Sequence, residues 1–432
     1  MSLKTLLIPP VQRIITIPPT RSAENYTSPP KDYFVHLPNE LLILIFSLLE
    51  AEESPHELKV YQWSPLTRVC RRWHDIIERM LYRTLLLKDR NSRIIKWWET
   101  DKPRLSKLLV TLQERPHLRS YAQALSITVD DIACSEDIFR IVDLLPCIRQ
   151  LSLHLDLKDS CLPFLERMTK MKLEQLEFFG YGAAPSLNML FDILETIPTL
   201  RKLATYRWGW SRDGRLYTDF VHDDSASITA KELSRLLQPD RQRSSGLTCL
   251  DLQDPKTSID VTECLFLRPA RLQEVSLTSL CYGPYDGQYR ATNIQHLLSI
   301  HQETLQKVSL GSIPPHGREI PDFSNFPSLQ ALHITLYKAD ASGWQSPISI
   351  YNRIAAPCLR HLEIDLGSDR EPNDRWMTDF IALVRLGRQQ TPPHTCLECV
   401  EFKFRRFGDL AMGLARRSSV NCESVRHCVD VP

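Results

Sequence analysis

Two spacings of apolar residues organise this chain, a helical one near the start and a strand-like one that recurs through the rest. Residues 37–81 carry the first. Leu41, Leu42, Ile43, Leu44, Ile45, Phe46, Leu48 and Leu49 are interrupted only by Ser47, so the helix they predict is apolar nearly all round and has no face to give to water. The run falls far short of the roughly 20 residues that cross a bilayer, and burial is the expectation. Pro38 suits a first helical position, and Glu40 sits in the first turn, where a carboxylate complements the helix dipole. A second helix is expected from Ser64-Pro65, read as N-cap and first position. Leu66, Val69, Cys70, Trp73, Ile76, Ile77, Met80 and Leu81 follow at i, i+3, i+4, i+7 spacing. Two or three short helices bury too little surface to cover the first one, so apolar surface is expected to remain available to a partner.

The second spacing is Leu-x-x-Leu-x-Leu with conservative swaps. It begins at Ala122-Leu125-Ile127 and continues through Ile148-Leu151-Leu153, Leu173-Leu176-Phe178, Leu200-Leu203-Thr205 and Leu247-Leu250-Leu252. Leu272-Val275-Leu277, Leu305-Val308-Leu310, Leu329-Leu332-Ile334, Leu359-Leu362-Ile364 and Leu397-Val400-Phe402 complete it. Starts at 148 and 173, 247 and 272, and 305 and 329 lie 25, 25 and 24 residues apart, within the roughly 20–29 residues of a leucine-rich repeat. Helical returns are expected at Leu187-Leu190-Phe191-Leu194 and over residues 228–237. Pro146, Pro198, Pro327 and Pro357 stop the return before the next strand. Between the two patterns, Leu105, Leu108, Leu109 and Leu112 share one face of a connecting helix that Arg115-Pro116 ends. The reading is a stacked solenoid, each Leu-x-Leu strand pointing into a shared core and its alternate residues lining a parallel sheet.

Some of these residues carry a resemblance. Leu37-Pro38-x-Glu40-Leu41-Leu42, Ile45-Phe46-x-Leu48-Leu49 and Val69-Cys70-Arg71-Arg72-Trp73 resemble an F-box, although the joint over residues 50–64 is longer than the family's usual connection. The repeats are similar to the divergent leucine-rich repeats of fungal F-box proteins. The fold class expected is α/β: a small helical F-box, then a leucine-rich-repeat-like solenoid with a parallel β-sheet on the concave side. The segments are a disordered leader over 1–33, the F-box over 34–88, a helical linker over 89–117, the solenoid over 118–408 and a tail over 409–432. The resemblance implies the substrate-recognition subunit of an SCF-type E3 ubiquitin ligase. Leu37, Pro38, Leu41, Ile45, Leu48, Val69 and Trp73 would dock the Skp-type adaptor, and through it cullin, while the solenoid holds an unknown protein target. The alternative is an adaptor-independent interaction scaffold whose N-terminal helices cap the solenoid.

The largest departure from period separates Leu200 from Leu247, a gap of 47. On an unbroken strand Tyr206, Trp208 and Trp210 share the parity of Lys202 and Ala204, away from the core. With Arg207 beside them, these aromatics have the composition of an interface hot spot and are the candidate target-binding residues. The other expected concave positions are mixed: Gln150, Ser152, His154, Glu177, Asp251, Glu274, Lys307, His333, Glu363, Asp365, Glu401 and Lys403. No basic stripe with interleaved aromatics runs among them, so a protein target is expected rather than nucleic acid. The basic pairs Arg405-Arg406 and Arg416-Arg417 read as solvated surface.

Composition narrows the remaining classes. Among 432 residues, 43% are hydrophobic and 24% charged, and the net charge of +1 provides no global field for nucleic acid or membrane. The 12 cysteines are scattered singly, which fits a reducing compartment, cytoplasmic or nuclear. Pro9-Pro10 and Pro18-Pro19 break any targeting helix in the leader. Walker, G-x-S-x-G and H-E-x-x-H patterns are absent from the sequence. Cys396-x-x-Cys399, with Cys422, His427 and Cys428 downstream, has a metal-like spacing, but the repeat pattern already explains that segment. No enzyme activity, cofactor or metal is expected.

Overall fold

The structure, a computed structural model, describes residues 37–52, 63–88, 102–129, 136–155, 167–179, 187–206, 242–253, 259–278, 289–311, 320–336, 346–365, 374–389, 396–404 and 425–430. The leader, the expected return over 228–237 and the residues Arg207, Trp208 and Trp210 lie outside them. The chain divides into two compact units, Met1–Ile77 and Glu78–Pro432.

In the first unit α1 spans Asn39–Glu52. Pro38 stands just before the helix rather than in its first position, and its carbonyl accepts the Leu42 N–H at 3.2 Å. Ser64-Pro65 does not open the long helix expected. It starts a 3-10 turn, Ser64–Arg68, in which Val69 N–H bonds back to the Leu66 carbonyl at 3.2 Å. Such i→i+3 bonding rarely outlasts a turn. A new helix, α2 (Arg71–Arg83), begins where the Cys70 carbonyl accepts from His74 N–H at 2.9 Å. Val69 and Cys70 therefore sit at a break and face solvent instead of extending a buried stripe.

The second unit is a mixed α/β arrangement. Its strands are β1 (Thr84–Lys88), β2 (Ala124–Val129), β3 (Gln150–Leu155), β4 (Gln175–Phe179), β5 (Lys202–Tyr206) and β6 (Cys249–Gln253). They continue through β7 (Glu274–Thr278), β8 (Lys307–Leu310), β9 (Ala331–Thr335), β10 (His361–Asp365), β11 (Cys399–Phe404) and β12 (Val425–Asp430). They pair in chain order in one sheet. Among the described residues β1–β11, eleven strands, are parallel, and β12 closes on β11 antiparallel. Helices stand between strands: α3 (Lys102–Glu114), α4 (Glu136–Asp143), α5 (Leu187–Thr196), α6 (Ile259–Leu267), α7 (Ala291–Ser299), α8 (Pro347–Ile354) and α9 (Asp374–Gln389).

Each repeated Leu-x-Leu became a strand of this sheet. Leu151 and Leu153, Leu250 and Leu252, and Leu332 and Ile334 are buried in one continuous core, with the first leucine of each pattern beneath them. Two strands went unannounced by that pattern. β1 carries Tyr82-x-x-Leu85-x-Leu87, the same spacing with Tyr82 in place of the first leucine and partly buried against the core. β12 lies within residues expected as a tail.

A ladder of main-chain bonds holds the strand starts in register. The carbonyls of Gln123, Arg149, Glu174, Arg201, Thr248, Gln273, Gln306, Gln330 and Arg360 each accept two consecutive N–H groups from the next strand start, at 2.7–3.0 Å. The 47-residue gap does not interrupt it: Thr248 and Cys249 N–H both bond the Arg201 carbonyl. Below the sheet, Arg268 spans the same gap, donating to Glu195 on α5 at 2.8 Å with its guanidinium 4.3 Å over Phe191.

Candidate functional site

Two surfaces stand out, one in each unit. In the helical unit Phe46 is the hub. Its ring centroid lies 5.7 Å from Trp63 and 5.3 Å, edge to face, from Trp73. Aromatic pairs in this geometry contribute about 0.5–1.5 kcal/mol beyond their burial. Leu42, one turn before Phe46, is the other buried side chain of α1 among those described. With that face used, Leu41, Leu44 and Ile45 stay exposed at i, i+3, i+4 spacing, and Leu44 keeps 53% of its surface. Ile43 and Val69 are exposed as well, Val69 at 59%. Of the expected docking residues, Leu41, Ile45 and Val69 are thus open, Pro38 is exposed, Leu37 and Trp73 are half-buried, and the Leu48 side chain lies outside the described set. Arg72, absent from the expected group, bonds Asn39 and the Leu37 carbonyl and holds the start of α1.

In the second unit the outward positions of the strands form rows set by register. One row runs Ser126, Ser152, Glu177, Ala204, Asp251, Ser276, Ser309, His333, Glu363 and Glu401. Tyr206 lies on this face, as its parity demands, but it is half-buried rather than fully exposed. Its ring stacks on Phe179 at 4.0 Å with planes within 6°. Burial, then the Asp251 and Glu177 charges, push the Tyr206 hydroxyl up to about 12. Phe179 was missed in the sequence, although its signal was there: it follows the inward Phe178 and must point the other way.

Around this pair Glu177 accepts from Ser152 Oγ at 2.7 Å and from Lys202 Nζ at 3.3 Å. Asp251 accepts from Gln253 Nε2 at 3.4 Å, and burial raises its carboxyl above the usual range. Burial likewise lifts the Cys249 thiol to about 11, so it stays a thiol at neutral pH. Further along, Ser309 Oγ and His333 Nδ1 are 2.9 Å apart, His333 Nε2 is 3.2 Å from Glu363, and Lys403 Nζ lies 2.6 Å from that carboxylate. This line has the composition of a nucleophilic relay. Ser309, however, is inside a strand whose flanking N–H groups belong to ladders with β7 and β9, so they are committed elsewhere than to an oxyanion. Asp365, expected on this face, is buried.

Residues 34–88 match the family model described as F-box-like. The match covers both halves of the helical pattern, continues through α2 into β1 of the second unit, and includes every expected docking residue. No curated protein matches the chain. F-box domains typically bind Skp-type adaptors, and the proteins that carry them are generally adaptors rather than enzymes. The F-box-like domain therefore points to an SCF-type substrate-adaptor role in general. No group of three His, Cys, Asp or Glu side chains among the described residues is arranged to hold a metal ion.

Proposed function

We propose that this chain is the substrate-recognition subunit of an SCF-type E3 ubiquitin ligase. The F-box-like domain docks a Skp-type adaptor, and through it cullin, by Leu37, Pro38, Leu41, Ile45, Leu48, Val69 and Trp73. The strands and returns of the second unit make a leucine-rich-repeat-like solenoid, and the outward face of its sheet holds a protein target. The chain performs no chemistry; it raises the effective concentration of the target near the ubiquitin-loading enzyme. Acting in the cytoplasm or nucleus suits the seven cysteines that are free thiols among the described residues.

One observation carries this reading. Leu41, Leu44, Ile45 and Val69 remain exposed after the small unit has closed on Phe46, in the segment that matches the F-box-like model. Leu41, Leu44 and Ile45 share one face of α1, and burying such a face against a partner is favourable by about 25 cal/mol per Å² of apolar area removed from water.

Co-expression of the full chain with a Skp-type adaptor, followed by size-exclusion chromatography, tests it. A one-to-one complex that Leu41→Ala with Ile45→Ala weakens at least tenfold is expected. Separate elution of the two wild-type proteins would overturn the reading.

A further inference from the structure

The turns that lead into β4–β7 carry a charge that the whole chain does not. Lys170 and Lys172 precede β4, Arg201 precedes β5, Arg243 precedes β6 and Arg271 precedes β7, and all of them are exposed. No carboxylate pairs with any of them among the described residues. The neighbouring acids are engaged elsewhere: Asp143 with Arg167 at 3.1 Å, Glu174 with Arg149 at 3.1 Å, and Glu195 with Arg268 at 2.8 Å. Glu177 lies 3.3 Å from Lys202, and Glu274 stands opposite Lys307 in register. Asp192, exposed within α5, is left against these cations, in a chain of net +1.

Register makes the separate turns one surface. The pairings Gln175↔Lys202, Lys202↔Cys249 and Cys249↔Glu274, carried three residues back, align Lys172, Thr199, Gly246 and Arg271. Bonds between turns keep that alignment. Thr199 Oγ1 donates to the Leu173 carbonyl at 2.7 Å, and Ala270 N–H to the Ser245 carbonyl at 3.2 Å. At about 4.8 Å per strand, Lys172 and Arg271 lie about 14 Å apart between backbones, a span that roughly four to five residues of extended peptide cover.

At the centre, Arg201 is already held in place. Its Nη1 donates to the Gly246 carbonyl at 2.9 Å, which lays the guanidinium across the turn before β6. Glycine permits this, because a Cβ there would come 2.8 Å from that nitrogen and 3.0 Å from the Pro198 carbonyl. The remaining N–H groups of the planar fork suit a carboxylate, and little rotamer freedom is left to lose. Phe, Tyr, Trp and His are absent from residues 167–174, 198–202, 242–248 and 268–274. With no ring there to stack on a base, the charge suits an acidic polypeptide rather than a single-stranded nucleic acid.

We propose that the turns preceding β4–β7 dock an aspartate- and glutamate-rich segment of the protein target, Arg201 clamping one carboxylate over Gly246 with Lys172 and Arg271 flanking it. This rests on reading the second unit as the target-binding one.

Fluorescence anisotropy of a labelled hexapeptide of alternating glutamate and aspartate, titrated with the full chain, tests the proposal. The peptide should bind at low ionic strength and weaken as salt rises, and the matching glutamine–asparagine peptide should not bind. Arg201→Gln should weaken binding at least fivefold, and Lys172→Gln with Arg271→Gln at least tenfold. Lys107→Gln with Arg385→Gln removes the same charge from exposed positions on α3 and α9 and should change binding less than twofold. Lys172 and Arg271 make no side-chain bond among the described residues, so that rim variant should stay folded, which thermal unfolding checks. Failure of the acidic peptide to bind would overturn the proposal, as would equal weakening by the folded rim and control variants. Tighter binding of an oligothymidylate of equal charge, or binding that needs phosphoserine in place of the carboxylates, would overturn it too. Adaptor co-elution of the same proteins is measured separately. Its failure would sink the ligase reading and leave the peptide result standing.

Discussion

Arg72 reaches Asn39 within the small helical unit, its Nε donating to Oδ1 at 2.6 Å, while the same guanidinium bonds the Leu37 carbonyl. The two halves of the F-box-like pattern, separated by more than thirty residues of sequence, are thereby joined by one side chain. The planar fork matters here, because two acceptors are served from one rigid group. Arg72→Lys is expected to lose most of the effect that Arg72→Ala loses. Hydrogen exchange of the first turn of α1 in the full chain should quicken in both variants. A double-mutant cycle with Asn39→Ala should give a coupling of about 0.5–1.5 kcal/mol, modest because the contact is partly solvated. Unchanged exchange in Arg72→Ala would remove the clamp from the account.

Val69 and Trp73 separate docking from folding. Val69 is largely exposed, so Val69→Ser should change stability by less than about 0.5 kcal/mol while weakening adaptor binding. Trp73 meets Phe46 edge to face, and Trp73→Ala should destabilise the unit by about 3 kcal/mol. Chemical unfolding set beside an adaptor titration checks both.

Thr205 occupies a core position where other strands place Leu, Ile or Phe, and its hydroxyl is buried without a hydrogen bond among the described residues. Its register partners are Phe178 and Leu252. Thr205→Val keeps the shape and removes the unsatisfied group, so it should stabilise the protein by about 1 kcal/mol. An upward shift of the denaturant midpoint is the expected result; no shift would mean the hydroxyl costs nothing where it is.

Gly387 on α9 leaves room for Tyr351 of α8. A Cβ at that position would come 1.6 Å from the tyrosine hydroxyl oxygen. Alanine would gain about 1 kcal/mol in helix propensity, but displacing a buried ring costs about 1–3 kcal/mol. Gly387→Ala should therefore lower the melting temperature, and adding Tyr351→Leu should restore part of the loss.

His301 is buried with Nε2 2.7 Å from the Phe266 carbonyl, and burial lowers its pKa below the ordinary histidine value. The unfolded chain then binds a proton at this side chain before the folded one does. Stability is fully present above about pH 6.5 and falls as pH drops from there toward the lower folded value. His301→Gln can still donate to the carbonyl but does not titrate. Denaturant midpoints measured from pH 7.5 to 5 should fall less steeply in the variant than in wild type.

Much of the fold was legible because period-two alternation is written into neighbouring residues. The pairs Leu151/Leu153 and Val308/Leu310 state their own burial, and their partners across the sheet only agree with it. The same holds for α5 at Leu190, Phe191 and Leu194 and for α3 at Leu105, Leu109 and Leu112. The break at Val69 was not legible, since a 3-10 turn and an α-helix place apolar residues at nearly the same spacing over one turn.

The sequence by itself determined the period of the strands, the side of each strand that faces the core, and an apolar helix too exposed to be left alone. Tertiary structure alone decided which outward residues meet. Phe179 lies on Tyr206, Glu177 and Asp251 stand either side of Ala204, and Ser309, His333 and Glu363 fall in line, because the main-chain ladder sets strand register across connections of very different length. It also decided that α1 spends Leu42 and Phe46 on its own unit and leaves Leu41, Leu44 and Ile45 to water. A side chain's parity is a local property; its neighbour on the next strand is a property of register, which no single stretch of sequence contains.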